Sequence, residues 1–326
     1  MACVLVTGGA GYIGSHACKA LAKAGHLPVT YDSLENGRAD AVRWGPLEEG
    51  DIADAARLRA VIARHRPAAV MHFAAYIQVA ESVAQPGKYY ANNVGGTLNL
   101  LTVMRETGIA AIVFSSSAAV YAPPEGAPVA EGHALGPVSP YGQTKRMVER
   151  ILADFGEAHG LNWTALRYFN AAGADPDGEI GPNHDPATSL IPLVIKAGLG
   201  AGPELSVFGT DYDTPDGTAI RDFIHVSDLA SAHVAALDYL RKGGVSGPFN
   251  LGTGRGFSVR QVIDAAERVL GRAIPAADRP RRPGDLAVMV ADARKAVSLL
   301  SWTAQHSSLE EIIATGAAWE RKRPAP

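Results

Sequence analysis

Three residues that can move protons and assist hydride chemistry lie in the middle of the chain. Tyr141 and Lys145 are four residues apart, and Ser117 ends an apolar segment upstream of them. In a helix, residues four apart share one face, so the phenol and the ammonium group can address the same ligand. A phenol has a pKa of about 10, and a neighbouring cation favours its ionised form. The pattern predicts a tyrosine base that acts on a substrate hydroxyl, although a Tyr-x-x-x-Lys pair alone would also fit an ordinary helix face.

A glycine-rich segment near the N-terminus favours the catalytic interpretation. Gly8, Gly11 and Gly14 follow an apolar run and open a helical pattern. Such glycines permit a tight turn, the close approach of a pyrophosphate and close helix–strand packing. The N–H groups at the helix N-terminus then bind the phosphates. Asp32 ends the next apolar run, where it is spaced to bind the ribose of NAD. A βα turn without a ligand is the alternative.

Short apolar segments alternate with amphipathic ones along the first half of the chain. Strands are predicted at residues 3–7, 29–32, 47–49, 69–73, 111–115 and 163–167, and helices at 13–24, 54–64, 87–107 and 141–159. This alternation indicates an α/β fold with a Rossmann-type, doubly wound parallel sheet. Ligands bind at the carboxyl ends of such strands, and Ser115 and Ser117 lie at one of these ends.

The pattern changes after Gly173, where prolines and glycines interrupt any long element. A strand at residues 205–208 and helices at 227–242 and 259–271 indicate a smaller mixed α/β C-terminal region. We expect an NAD-binding domain over residues 1–173 and a substrate domain over residues 174–326. Segments around residues 221–242 are expected to pack back on the first domain.

Composition argues against several other classes of protein. The 326 residues include 30 basic and 33 acidic ones, which give a net charge of −3, whereas a nucleic-acid-binding protein would show a basic surplus. We find no signal peptide and no apolar run long enough to span a membrane. Cys3 and Cys18 lack the spacing of metal ligands, so we predict no metal site and a cytoplasmic location.

Nearly the whole chain resembles the UDP-glucose 4-epimerases of the extended short-chain dehydrogenase/reductase family. The matching segments include VTGGAGYIGSH at residues 6–16, SSSAAVY at 115–121, LRYFN at 166–170, RDFIHV at 221–226 and RRPGD at 281–285. The resemblance implies reversible interconversion of UDP-glucose and UDP-galactose, through transient oxidation at C4 with bound NAD. It also implies a homodimer that pairs through the helices at 87–107 and 141–159.

The resemblance also implies a role for each matched position. Ser117, Tyr141 and Lys145 would be catalytic. The residues that would contact NAD are Gly8, Gly11, Tyr12, Ile13, Gly14, Asp32, Asn36, Asp51, Ile52, Phe73, Ala74, Ala75, Asn92, Ser115, Tyr141, Lys145, Tyr168 and Phe169. Those that would contact the UDP-sugar are Ser117, Tyr141, Asn170, Ser189, Leu190, Ser206, Val207, Phe208, Arg221, Arg282, Asp285 and Met289.

Departures from the family pattern leave the preferred sugar open. Ile77 stands where many members carry a lysine or serine, and Met289 stands where a tyrosine or a smaller residue borders the hexose. Epimerisation of UDP-N-acetylglucosamine or UDP-glucuronate is therefore an alternative. A 4,6-dehydratase would need an acid–base pair where this chain has Ala118 and Ala119. A non-catalytic NAD-sensing regulator is a further alternative, which the presence of Tyr141 disfavours.

Overall fold

The computed structural model describes residues 1–124, 126, 128–182, 187–282 and 284–322, so that Pro283 of the RRPGD segment lies outside the described residues. The strands, numbered along the chain, are β1 Cys3–Thr7, β2 Leu27–Asp32, β3 Leu47–Glu49, β4 Ala69–His72, β5 Ala111–Ser117, β6 Asn162–Tyr168, β7 Asn170–Ala172, β8 Leu205–Phe208, β9 Ile220–His225, β10 Gly247–Leu251, β11 Gly256–Ser258, β12 Ala276–Arg279 and β13 Val288–Met289.

The helices are α1 Tyr12–Lys23, α2 Ala55–His65, α3 Val79–Ala84, α4 Pro86–Tyr89, α5 Thr97–Glu106, α6 Pro140–His159, α7 Leu190–Leu199, α8 Val226–Arg241, α9 Val259–Leu270, α10 Arg294–Leu300 and α11 Leu309–Lys322. None of these helices, within the part of the chain described, is both long and apolar enough to cross a membrane.

Seven strands form one sheet in the order β10-β6-β5-β4-β1-β2-β3, and every neighbouring pair is parallel. This arrangement confirms the predicted Rossmann-type fold. Alternate residues of β1 point to opposite faces, as a strand requires. Val4 and Val6 pack with the buried residues of α1 and α8, while Leu5 packs with those of α2, α5 and α6. Helices therefore cover both faces of the sheet.

The remaining strands form two smaller sheets beside the carboxyl edge. β9 pairs with β7, β11 and β13, and β8 pairs with β12. β10 comes from the second half of the chain and extends the first sheet, while α8 packs on α1. The second half thus contributes to the layers around the first sheet, and the division at residue 173 stays a prediction.

Local signals explain where the functional helix α6 begins and ends. The Ser139 hydroxyl accepts a hydrogen bond from the N–H of Gly142 at 3.2 Å, and Pro140 occupies the first helical position. Gly160 ends the helix in the left-handed conformation, with a φ of 69°. A side-chain cap, an initial proline and a final glycine are the strongest helix boundaries a sequence can carry.

The segment predicted as one α-helix over residues 87–107 is helical from Pro86 to Glu106, but its middle is not α-helical. α4 and α5 are joined without a break by a π-helical turn over Tyr90–Gly96. Turns of this kind often occur at functional sites. This one contains Asn93, whose buried side chain donates to the main-chain oxygen of Tyr76 and accepts from its N–H group. The turn thus fixes the segment that follows β4.

Candidate active site

The glycine loop after β1 has a shape that only glycine permits. Gly8 has a φ of +73°, and a side chain there would meet the main chain of Ala74. A side chain on Gly14 would overlap the carbonyl oxygen of Gly8. Gly11 begins α1 without a side-chain cap, so no side chain competes for the first N–H groups of the helix. This cradle fits the pyrophosphate of a dinucleotide, which binds to such N–H groups.

Asp32 ends β2 beside this loop, and its side chain is 8% exposed. Its carboxylate accepts hydrogen bonds from the N–H groups of Ala10 at 3.0 Å and Leu34 at 2.9 Å. Burial raises the pKa of this carboxyl, and the two N–H donors oppose that effect. A carboxylate held in this position suits the ribose hydroxyls of NAD.

The other residues predicted at the adenosine end lie nearby. The carbonyl oxygen of Asp32 accepts a hydrogen bond from the N–H of Gly50, which brings the ends of β2 and β3 together. Asn36 and Asp51 are exposed, whereas the side chain of Ile52 is buried.

The residues predicted near the nicotinamide lie at the ends of β1 and β4. The N–H groups of Phe73 and Ala74 both donate to the carbonyl oxygen of Thr7, at 2.8 and 3.1 Å. Ala75, Asn92 and Phe169 are half-buried, and the amide of Asn92 donates to the side chain of Asn93 at 2.9 Å. The side chains of two further predicted residues face the protein: the hydroxyl of Tyr12 donates to the carbonyl oxygen of Gly173, and Ile13 packs on the core, so their predicted contacts with NAD would be made by the main chain.

The predicted catalytic residues meet at the carboxyl end of β5. The phenol of Tyr141 lies beside the side chain of Ser117, which acts to lower the pKa of the phenol. The ammonium group of Lys145 is buried and donates to the main-chain oxygen of Ser115 at 2.7 Å. The Tyr168 hydroxyl donates to the side-chain oxygen of Ser115. The structure therefore brings together the serine strand end and the Tyr-x-x-x-Lys face of α6.

Burial sets the ionisation of this group. It lowers the pKa of Lys145 to about 7, although the charge of Glu149 opposes the change. It raises the pKa of Tyr141, although the neighbouring Ser117 side chain opposes that change. In the chain alone, Tyr141 is thus a neutral phenol at neutral pH. A further positive charge near the ring would favour the phenolate.

A buried ion pair behind the catalytic residues has no counterpart in the sequence predictions. Glu149 lies one turn after Lys145, and its carboxylate accepts from both Nε and Nη2 of Arg167, at 2.9 and 2.5 Å. The hydroxyl of Ser116 donates to the same carboxylate at 2.5 Å. Ser116 lies between Ser115 and Ser117, so its bond to Glu149 fixes the end of β5 on α6. The only sign of it in the sequence is that Glu149 follows Lys145 by four residues, which places both on one face of α6.

The residues predicted to bind the diphosphate and uridine form a second group. Arg282 donates from Nε to the carboxylate of Asp285 at 3.0 Å, and its guanidinium lies 4.7 Å from the centre of the Phe208 ring. Arg221 donates from Nη1 to the carbonyl oxygen of Leu286 at 2.8 Å. Burial lowers the pKa of Arg221, and Asp285 opposes that change. Two guanidinium groups around one carboxylate give a site that can accept a polyanion.

Met289 links this second group to the catalytic one. It is the register partner of Arg221 between β13 and β9, and it packs with Phe169 against a cluster that contains Ala118 and Tyr121. Asp222 does not pair with Arg221. It is fully buried, and its carboxylate accepts from main-chain N–H groups of the loop after β10.

The remaining residues predicted to bind the substrate lie on several elements and differ in their exposure. Asn170 donates to the carbonyl oxygen of Asp222 at 2.9 Å. Ser189 is exposed and precedes the half-buried Leu190 at the start of α7. Ser206 is half-buried in β8, whereas the side chain of Val207 is buried in the core, so only its main chain can reach a ligand.

Comparison with known proteins agrees with this geometry. A sequence profile of the NAD dependent epimerase/dehydratase family matches residues 4–252. The UDP-glucose 4-epimerase of Rhizobium leguminosarum bv. trifolii is 51% identical over 319 residues, which cover 98% of this chain and 97% of that protein. The crystal structure of the Brucella ovis UDP-glucose 4-epimerase in complex with NAD is 50% identical, with a TM-score of 0.95 over 97% of this chain and 98% of that one.

A third relative includes both ligands. The UDP-glucose 4-epimerase of Bifidobacterium longum, solved with NAD⁺ and UDP, is 40% identical, with a TM-score of 0.93 over 99% of each chain. NAD is the cofactor of this family, and the glycine cradle with Asp32 fits it. The chain belongs to the NAD dependent epimerase/dehydratase family and, within it, to the UDP-glucose 4-epimerases.

Proposed function

We propose that this enzyme interconverts UDP-glucose and UDP-galactose by inverting the configuration at C4 of the hexose. The observation that carries the proposal is that the Tyr141 phenol and the Ser117 side chain meet beside the buried amine of Lys145. This group lies at the carboxyl end of β5, where Met289 packs against the cluster of Ala118 and is the register partner of Arg221. The glycine loop and Asp32 would hold NAD, which when bound would supply the acceptor for the hydride of C4 and its source for the return step.

The chain's own residues handle the proton. Tyr141 as phenolate removes the proton of the 4-hydroxyl, directly or through Ser117, and gives it back when the alcohol forms again. Lys145, whose nitrogen lies 5.9 Å from the centre of the Tyr141 ring, favours the phenolate when it is protonated. Ser115 keeps that ammonium in place through its main-chain oxygen. Tyr141 is thus the general base and the general acid in turn.

The protein must hold the nucleotide while the hexose turns and presents its other face to the cofactor. Arg221 and Arg282 supply guanidinium groups for the diphosphate, and Asp285 supplies a carboxylate for the uridine ribose. Phe208 offers an aromatic face, half-buried beneath Arg282, for the uracil. Recognition at this end leaves the hexose free to turn near Met289. The roles of these residues are part of the proposal.

A substrate panel tests the proposal. The pure protein, without added NAD, is incubated with UDP-glucose, UDP-galactose, their N-acetyl forms and UDP-glucuronate, and the products are separated by chromatography. We expect interconversion of the first pair. The Tyr141→Phe variant should lose turnover by about 10²- to 10⁴-fold while it still binds UDP-sugar. Exclusive turnover of another pair, or near-normal turnover by the variant, would contradict the proposal.

We further propose that two copies of the chain pair through α5 and α6. The support is that each of these helices exposes a large apolar side chain, with Leu98 43% and Met147 44% exposed. Such residues on adjacent helices are suited to a hydrophobic interface. Light scattering at micromolar concentration should give the mass of a dimer, and a monomer would refute the pairing.

We also propose a cytoplasmic location. It is supported by Cys3 and Cys18, which are both free, with Cys18 buried. Free thiols in these positions suit a reducing compartment. Fractionation of the source cells followed by immunodetection checks this location.

A further inference from the structure

A hydrogen bond crosses the groove in front of the glycine loop. The hydroxyl of Tyr76 donates to the carboxylate of Glu35 at 2.6 Å, between residues 41 positions apart. Glu35 follows β2 and Tyr76 follows β4, and these strands flank β1 on opposite sides in the sheet. The two loops therefore meet across the carboxyl end of β1, where the dinucleotide cradle lies.

Tyr76 is held firmly on its side of the groove. Asn93, in the π-helical turn, binds both the N–H and the carbonyl oxygen of Tyr76, at 2.9 and 3.0 Å. The Tyr76 ring lies 5.7 Å from that of Tyr89, and the ammonium nitrogen of Lys88 lies 4.1 Å from its centre. The ring thus has packing partners and a fixed main chain, so its hydroxyl is positioned in advance.

Glu35 lies in the loop after β2, between Asp32 and Asn36, which are both predicted to contact the adenosine of NAD. It follows Leu34, which has a φ of 60° and donates its N–H to Asp32 at 2.9 Å. Burial, Glu35 and then the charge of Asp51, two residues after β3, raise the pKa of the Tyr76 phenol to about 12. The contact therefore lies over the ribose side of the groove, close to the predicted adenosine contacts.

We infer that Tyr76 and Glu35 form a latch that closes over the adenosine half of bound NAD and slows its release. The inference depends on NAD occupying the cradle, as it does in the family. For the adenosine to leave the groove, the loop after β2 must separate from the loop after β4, and the hydrogen bond must break. The Tyr76 hydroxyl and the Glu35 carboxylate bond to each other and not to Ser117, Tyr141 or Lys145, so the latch is expected to act on cofactor retention and not on the proton transfer.

The test measures exchange of bound NAD for isotopically labelled NAD in the absence of any UDP-sugar. We expect Tyr76→Phe and Glu35→Gln each to speed the exchange of NAD by about three- to tenfold, because each removes one hydrogen bond that must break before release. The double variant should exchange no faster than the faster single variant, since both remove the same bond. Tyr239→Phe, which removes a hydroxyl bonded to Val245, and Glu106→Gln, which breaks a surface pair with Arg59, are the matched controls.

Exchange at the wild-type rate in both single variants would overturn the inference, as would fully additive effects in the double variant. Thermal unfolding of the NAD-free proteins distinguishes a lost latch from a general loss of stability, because the latch variants should match the controls. The measurement contains no substrate, so a failure of the proposed epimerase activity would leave the exchange rates unaffected. A wild-type protein that holds no NAD would overturn the latch while leaving the fold intact.

Discussion

Lys145 donates its buried hydrogen bond to the main-chain oxygen of Ser115, at 2.7 Å, and not to the phenol of Tyr141. The nitrogen of Lys145 lies 5.9 Å from the centre of the Tyr141 ring. The neighbour that acts to lower the pKa of that phenol is the side chain of Ser117. The helix α6 and the strand β5 are thus tied together at the point where the proton must move.

Ionisation of Tyr141 should depend on the cofactor. Because burial raises its pKa, Tyr141 in the NAD-free protein should remain neutral up to at least about pH 10, the ordinary value for a phenol. Bound NAD⁺ adds a positive charge and should lower this pKa, so that phenolate forms at a lower pH. The near-ultraviolet absorbance of the wild-type protein minus that of Tyr141→Phe, titrated with and without NAD, measures the shift. Identical curves under both conditions would contradict it.

The catalytic residues were predictable because their signal is local. The spacing of Tyr141 and Lys145 places both on one face of a helix, and Ser139 and Pro140 mark where that helix begins. The parallel sheet was predictable for the same reason, since each apolar strand is followed by an amphipathic helix. The predicted strands over residues 3–7 and 47–49 coincide with β1 and β3.

Other features depend on contacts distant in sequence. β10 contains Gly247 and Pro248, which normally interrupt strands, yet it pairs with β6 about 80 residues upstream. As an edge strand it tolerates a proline, whose missing N–H group costs no ladder bond on the open side. Glu149 and Arg167 look like solvent-exposed charges in the sequence, and only the packing of α6 on β6 buries them together.

Arg282 and Arg281 provide a matched pair for testing the diphosphate site. Arg282 faces Asp285 and Phe208, whereas its neighbour Arg281 binds Asp211 at the surface. We expect Arg282→Ala to raise the KM for UDP-galactose by about ten- to a hundredfold, the loss of a charged hydrogen bond, with a smaller change in kcat. Arg281→Ala should change KM by less than about threefold. Steady-state kinetics at a fixed NAD concentration measure KM and kcat for both variants. Equal changes in KM would contradict the assignment of Arg282 to the diphosphate site.

The ion pair behind the site should matter for stability. In Glu149→Gln, the buried guanidinium of Arg167 loses its counter-charge while most of the side-chain volume remains. Removing one partner of a buried pair costs about 3–5 kcal/mol in the free energy of unfolding. Urea unfolding of the NAD-free protein measures this loss. Glu106→Gln, which breaks an exposed pair with Arg59, is the control and should cost less than about 1 kcal/mol.

Mild acid should destabilise the fold through buried histidines. Burial lowers the pKa of His72 to about 3, and those of His16, His225 and His233 to about 4. In the unfolded chain these histidines have a pKa of about 6.5, so below that pH the unfolded chain binds protons that the folded chain does not. The free energy of unfolding therefore decreases as the pH is lowered, until the pH reaches the pKa of the folded state. Each histidine contributes about 1.4 kcal/mol per pH unit within that window.

Urea unfolding at a series of pH values between about 7 and 5 measures this slope. Four such histidines together should remove roughly 5 kcal/mol between about pH 7 and 5.5, in addition to any contribution from carboxyl groups. His72→Gln removes one of these groups, so it should reduce the histidine part of the slope by about a quarter, whatever its effect on stability at neutral pH. The control is His159→Gln, at the exposed end of α6. An unchanged slope in His72→Gln would show that His72 takes up its proton in the folded state as readily as in the unfolded one.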